Sequence, residues 1–468
     1  MRLIATMLVL LPAWAPAAPD EVFNFGRFGE VTVYRGAAET RDVVLFLSGD
    51  GGWNLGVITM AARLVDEGAV VAGIDIRHYL AQLEKSSEIC VSPAVDLENL
   101  SHYLQSKLGL KTYLQPTLVG YSSGATLVYA MLAEAPEGLF KGALSIGFCP
   151  DLDLKKPMCK GLGVEAVARR QPSGETKGVD FLPAKKLSGK WISLQGEIDQ
   201  VCPAPLTQKF MERVPGAEIV RLPKVGHGYS VEKNWLPQYL AAYRRIAGAA
   251  AAQVFAPGLP APVADLPLTL VPAVHAATSP WFGVFLSGDG GWVGLDRGVS
   301  EELAKHDIPI VGWDSLKYFW TPRTPQGAAQ DLDRVVRHYS REWGKAHVLL
   351  IGYSQGADTL PFMVNRLPAA TRDMVDLTTL LGFSDNAVFE FHLANWLGTP
   401  GGGLPTKAEL ERWSGSPYLC IYGEEDGDSA CAELTGTGGE AVKMPGGHHF
   451  GGGYAEIAAE IIKRLPKL

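Results

Sequence analysis

The sequence predicts an α/β fold made twice: two tandem domains, each a doubly wound, mostly parallel sheet. Three observations carry this. The chain contains an internal repeat that spans most of its 468 residues. Within each copy, short apolar runs alternate with longer amphipathic stretches, the pattern of βα units. The apolar runs are continuous rather than alternating, as expected of strands covered on both faces.

The repeat is read from four collinear matches. Phe46–Trp53 (FLSGDGGW) recurs letter for letter as Phe285–Trp292. Gly120-Tyr121-Ser122-Ser123-Gly124-Ala125 recurs as Gly352-Tyr353-Ser354-Gln355-Gly356-Ala357. Gly196-Glu197-Ile198-Asp199 returns as Gly423-Glu424-Glu425-Asp426, and Leu222-Pro223 before His227 returns as Met444-Pro445 before His449. The offset drifts slowly along the series, which marks a duplication with small insertions and deletions. Residues 248–265 are rich in Ala and Pro and read as a linker. This places an N-terminal domain at 20–247 and a C-terminal domain at 266–468.

In the second copy the order is a strand at Phe282–Leu286, a helix near Val299–His306, a strand at Pro309–Trp313 and a helix over Gln326–Trp343. A strand at His347–Ile351 leads into a tight turn and a helix. Strands at Thr378–Leu381 and Pro417–Tyr422 follow, and the chain closes on a helix from Tyr454 to Arg464. The first copy follows the same order, with a strand at Pro116–Val119 before its turn.

Composition narrows the function classes. With 47% hydrophobic and 20% charged residues the chain is globular rather than disordered. A net charge of −8 supplies no basic face for nucleic acid. The charge is uneven: residues 18–250 carry 25 basic and 25 acidic side chains, whereas 251–468 carry 16 and 25. An acidic half tolerates cationic ligands. Residues 1–17 read as a secretory signal peptide: Arg2, the apolar core Leu3–Leu11, then Ala15-Pro16-Ala17. With no transmembrane stretch, the expectation is a periplasmic or secreted protein that meets membranes only at their surface. Six cysteines suit an oxidising compartment. The second copy holds a single pair, Cys420–Cys431. In the first copy the favoured pairs are Cys149–Cys159 and Cys90–Cys202.

Gly-x-Ser-x-Gly follows a strand and opens a helix in both copies. Such a turn holds a serine in a strained conformation with its hydroxyl projecting from the sheet. An acid and a histidine should follow in that order. In the second copy they are Asp426, with Glu425 and Asp428 as alternatives, and His449, four residues after its proline, with His448 as the alternative. In the first copy they are Ser122, Asp199 and His227. Expected oxyanion donors are the backbone N–H groups of Asp289 and Gln355, and of Asp50 and Ser123 in the first copy. Both domains are therefore of the α/β-hydrolase type. The chemistry calls for no metal or cofactor.

With these residues in view, the chain resembles the VirJ/AcvB family of bacterial virulence proteins, periplasmic α/β-hydrolases. The resemblance rests on Phe285–Trp292, Ser315–Pro325, Gly352–Gly356 and Gly446–Phe450. It implies hydrolysis of aminoacyl-phosphatidylglycerol, notably the lysyl lipid, by the C-terminal triad Ser354–Asp426–His449. Lys317, Tyr318, Trp320, Arg323 and Trp292 are then the expected substrate-binding residues, with Arg323 and Lys317 reaching the lipid phosphate. The first copy lacks the Trp and Arg of this loop. Two rival readings are a non-enzymatic periplasmic adaptor for secretion-system partners and a generic dienelactone-hydrolase-like esterase.

Overall fold

The computed structural model describes residues 18–161, 163–248, 261–274, 279–391, 403–434 and 439–466. The signal-peptide segment and most of the linker lie outside the described residues.

The chain divides into two compact units. The first comprises residues up to Asp96 with Pro116–Ala135 and Phe140–Ala247; the second comprises Leu97–Gln115, Pro136–Leu139 and Gly248–Leu468. Two segments of the first sequence copy thus belong to the second unit, which the domain boundaries read from sequence did not anticipate.

The first unit is built on β1 (Glu21–Phe25), β2 (Gly29–Tyr34), β3 (Asp42–Leu47), β4 (Ala69–Ile74), β5 (Thr117–Tyr121), β6 (Gly142–Ile146), β7 (Lys190–Gly196) and β8 (Glu218–Leu222). Their order in the sheet is β1-β2-β4-β3-β5-β6-β7-β8. The β1–β2 and β2–β4 pairs are antiparallel and the others parallel. The second unit repeats the plan with β9 (Leu268–Val271), β10 (Trp281–Leu286), β11 (Ile310–Trp313), β12 (His347–Tyr353), β13 (Val375–Leu381), β14 (Tyr418–Gly423) and β15 (Gly439–Met444), in the order β9-β11-β10-β12-β13-β14-β15. Here only β9 runs antiparallel to its neighbour β11.

The central strands are buried along their length because helices cover both faces: β3 and β4 have no exposed residue, nor has β11. In the helix Pro325–Trp343, Ala328, Leu332, Val335, Val336 and Tyr339 form the buried stripe. Thr324 caps its N-terminus by accepting from the Gly327 N–H, Pro325 fills the first turn, and left-handed Gly344 ends it. In each sheet the strand order reverses between the first central strand and the elbow strand. Loops leaving those two strands therefore meet in a crevice at their carboxyl ends.

Three disulfides are present: Cys90–Cys159, Cys149–Cys202 and Cys420–Cys431. The last is the pair read from sequence. The first two correct the pairing expected in the first copy. Phe148 leads the chain from the end of β6 past the acid loop, so Cys149 meets Cys202, and Cys159 lies beside Val91, which bonds both ways with the Pro157–Cys159 segment. Cys420–Cys431 closes 11 residues of sequence. Replacing both by serine is expected to cost about 3 kcal/mol, read as a lower urea midpoint of the oxidised protein; an unchanged midpoint would show that the bridge contributes nothing.

Candidate active sites

Each elbow is dictated by its glycines. A Cβ on Gly124 would lie 2.4 Å from the Leu47 carbonyl oxygen, and one on Gly356 2.3 Å from that of Leu286. The backbone can therefore pass tightly under the serine only where side chains are absent. Ser122 (φ 54°, ψ −119°) and Ser354 (φ 50°, ψ −119°) occupy the same strained conformation. Ser123 and Gln355, the next residues, begin helices Ser123–Glu134 and Gln355–Val364. As first residues of their helices, their N–H groups have no partner within those helices and are the donors expected to receive an oxyanion. The opposing loop is fixed from below. Buried Ser287 accepts from the Ser315 N–H (2.9 Å) and donates to the Gly288 carbonyl; Ser48 does the same with Ile76 and Gly49.

In the first unit the relay is continuous. The Ser122 hydroxyl lies 2.9 Å from His227 Nε2, and His227 Nδ1 lies 2.9 Å from Asp199 Oδ2. The other Asp199 oxygen accepts from the Val201 and Cys202 N–H groups. A carboxylate so held orients the imidazole and stabilises its protonated form. Asp50 accepts a 2.5 Å bond from the Ser123 hydroxyl.

In the second unit the structure brings Asp426 to His448, not to His449: His448 Nδ1 lies 2.9 Å from Asp426 Oδ2. His449 instead meets the Tyr353 hydroxyl at 2.7 Å. Three features make His448 the counterpart of His227. A Cβ on Gly382 would lie 2.8 Å from His448 Cε1, as one on Gly147 would lie 3.3 Å from His227 Cε1. The elbow tyrosines tilt alike on them, Tyr121 on His227 at 32° and Tyr353 on His448 at 37°. The second residue after each, Tyr229 or Phe450, is left-handed. The loop between proline and histidine is one residue shorter in the second copy, which defeats counting from the proline. Among the described residues Ser354 has no hydrogen bond to His448; unliganded sites often close this contact only on substrate.

The other expected binding residues are placed as follows. Trp292 and Tyr318 are buried in the core. Trp292 packs edge-on to Phe285 and over Gly312, where a Cβ would lie 2.3 Å from its ring. The Tyr318 hydroxyl donates to Asp331. Trp320 donates its indole N–H to the Leu110 carbonyl and stacks on Phe391. Lys317 is paired with Asp314 at 2.7 Å, and exposed Arg323 lies over the Tyr318 ring.

Sequence reasoning missed two acids of the second unit. Asp358, one helical turn past Ser354, is buried and accepts from the Ser384 N–H and hydroxyl, both at 2.7 Å. Burial pushes its carboxyl up to about 7. Half-buried Glu98 lies beside the oxyanion loop, where a Cβ on Gly290 would sit 3.1 Å from its Oε1. Burial, then the charge of Asp289, pushes Glu98 up to about 8. Asp289 itself is raised by burial, opposed by nearby N–H groups and by His448. A signal for Asp358 existed: it is the lone charge in an apolar helix. Glu98 carried none, because only tertiary structure brings it to the loop.

Two mostly parallel sheets, each with a serine elbow, a following acid and a following histidine, define the α/β-hydrolase class. The chain belongs to the VirJ family (Bacterial virulence protein), whose profile matches residues 41–150 and 281–467. No curated protein matches the chain. Similar solved structures include esterase 2 of Thermogutta terrifontis phosphorylated by paraoxon (16% identity, 52% of this chain, 98% of that one, TM-score 0.36). A putative dienelactone hydrolase from Klebsiella pneumoniae subsp. pneumoniae is another (15%, 47%, 92%, TM-score 0.33). A third is an alpha-beta serine hydrolase homologue from Coxiella burnetii (14%, 50%, 99%, TM-score 0.30). Among the described residues no helix is long and apolar enough to cross a membrane.

Proposed function

We propose that the protein is a periplasmic serine esterase that releases the amino acid from aminoacyl-phosphatidylglycerol, with lysyl-phosphatidylglycerol favoured, at the Ser354 site. The observation that carries the reading is the acid group around that serine: Asp289 in the oxyanion loop, Glu98 beside it, and Asp358 one turn along the elbow helix. Each is held in surroundings that disfavour a bare charge, so each gains from a cation. A lysyl ester brings two ammonium groups to the scissile carbonyl. The substrate is the one the resemblance to the VirJ/AcvB family implies, and the three disulfides agree with an oxidising compartment.

In this reading His448, oriented by Asp426, takes the Ser354 proton as the oxygen attacks the ester carbonyl. The Asp289 and Gln355 N–H groups receive the oxyanion, each such donor being worth about 3–4 kcal/mol. His448 then protonates the departing glycerol oxygen, and phosphatidylglycerol leaves. Water, deprotonated by His448, releases the amino acid. Arg323 is the cation offered to the lipid phosphate, and Lys317 reaches it only by leaving Asp314.

Two expected results test the acid group. Asp358→Asn and Asp289→Asn should each lower the lysyl-to-alanyl ratio of kcat/KM about tenfold, the loss of one charge-assisted bond; an unchanged ratio in both would remove the electrostatic basis. The ratio should also rise with pH. Asp358 is protonated below about 7 and Glu98 below about 8. Between pH 6 and 9 both carboxyls ionise while the lysyl side chain stays charged. A flat ratio across that range would contradict the assignment.

A further inference from the structure

We propose that the first unit carries a second, independent catalytic centre at Ser122, acting on uncharged carboxylic esters with an apolar acyl group. Ser122, His227 and Asp199 are already joined by two 2.9 Å contacts, and Asp199 is anchored by two backbone donors. A relay kept only as scaffold has no need of this alignment.

The surroundings differ from those of Ser354 at each equivalent place. Where the second unit has buried Asp358 bound to Ser384, the first has Thr126, whose hydroxyl donates to the Cys149 carbonyl. Cys149 and Cys202, which stand where the second unit has Ser384 and Ser429, are joined in a disulfide. Flanking the acid, the second unit exposes Glu425 and Asp428. The first unit exposes Ile198 and Val201 instead, at 61% and 64%. Arg77, beside the oxyanion loop, is paired with Asp75. The acid loop of the first unit thus exposes two apolar side chains where that of the second exposes two carboxylates, while Asp50 and Arg77 keep the oxyanion-loop side polar. Ile198 and Val201 would otherwise waste apolar surface on water, and an acyl chain whose carbonyl sits at Ser122 covers it.

The reaction balances without a co-reactant other than water. Ser122 Oγ bonds to the acyl carbon as its proton passes to His227 Nε2. The carbon–alkoxide bond breaks and the alcohol leaves with that proton. Water, giving a proton to His227, attacks the acyl-serine, and the carboxylic acid departs as Ser122 regains its proton.

The test uses the full chain carrying Ser354→Ala, so that failure of the lipid reading leaves it unaffected. A fluorophosphonate probe should label this protein, and peptide mass mapping should place the label on Ser122. The protein should hydrolyse p-nitrophenyl butyrate and octanoate, both soluble and in detergent micelles, and adding Ser122→Ala should lower kcat/KM at least 100-fold. Val201→Asp in the same background should raise KM for octanoate about tenfold while leaving the labelling site on Ser122. Absence of label on Ser122, or ester hydrolysis indifferent to Ser122→Ala, would overturn the second centre. A preference for octanoate unmoved by Val201→Asp would overturn the apolar acyl site.

Discussion

His448→Ala is expected to lower kcat/KM for hydrolysis of the aminoacyl lipid about 10⁴-fold, whereas His449→Ala should lower it less than tenfold. The asymmetry follows from what each ring touches. His448 Nδ1 is engaged by Asp426, which fixes the tautomer and leaves Nε2 free to act as the base. His449 bonds the Tyr353 hydroxyl and matches Gly228 of the first unit in position after the histidine. It can affect the elbow only through that tyrosine. A His449→Ala protein as impaired as His448→Ala would mean that both rings move during the reaction.

Ser354→Ala should abolish release of amino acid from lysyl-phosphatidylglycerol, a loss of about 10⁴-fold or more, while Ser122→Ala retains most of it. The two elbows share one backbone conformation, so the difference arises from the surroundings. Asp358 has uncharged Thr126 as its counterpart beside Ser122, and Asp50 there is already bonded to Ser123. If the Ser122 protein were the inactive one, the aminoacyl lipid would belong to the first unit.

Much of this arrangement was legible in the sequence because the repeat compares the chain with itself. The elbows, both acids and the buried strands each appeared twice, and strands such as Phe282–Leu286 differ from the structure by a residue at one end. The failures have physical causes. Gly439–Met444 was missed because it is an edge strand with alternating charge and little burial. The histidine was misplaced because a loop can lose a residue while its ends keep their geometry. Trp292 and Tyr318, read from sequence as binding aromatics, are buried, and Trp292 fills the space that Gly312 leaves open. The first-copy disulfides depend on which loops meet at the strand ends, and spacing carries no such information.

The most direct test is hydrolysis of lysyl-phosphatidylglycerol by the purified full chain in ¹⁸O-labelled water, with lysine and lipid examined by mass spectrometry. Attack on the aminoacyl carbonyl through an acyl-serine places ¹⁸O in the lysine carboxylate and leaves phosphatidylglycerol unlabelled, with both products absent in Ser354→Ala. No lysine released, ¹⁸O in the glycerol headgroup, or lysine release surviving Ser354→Ala would contradict it.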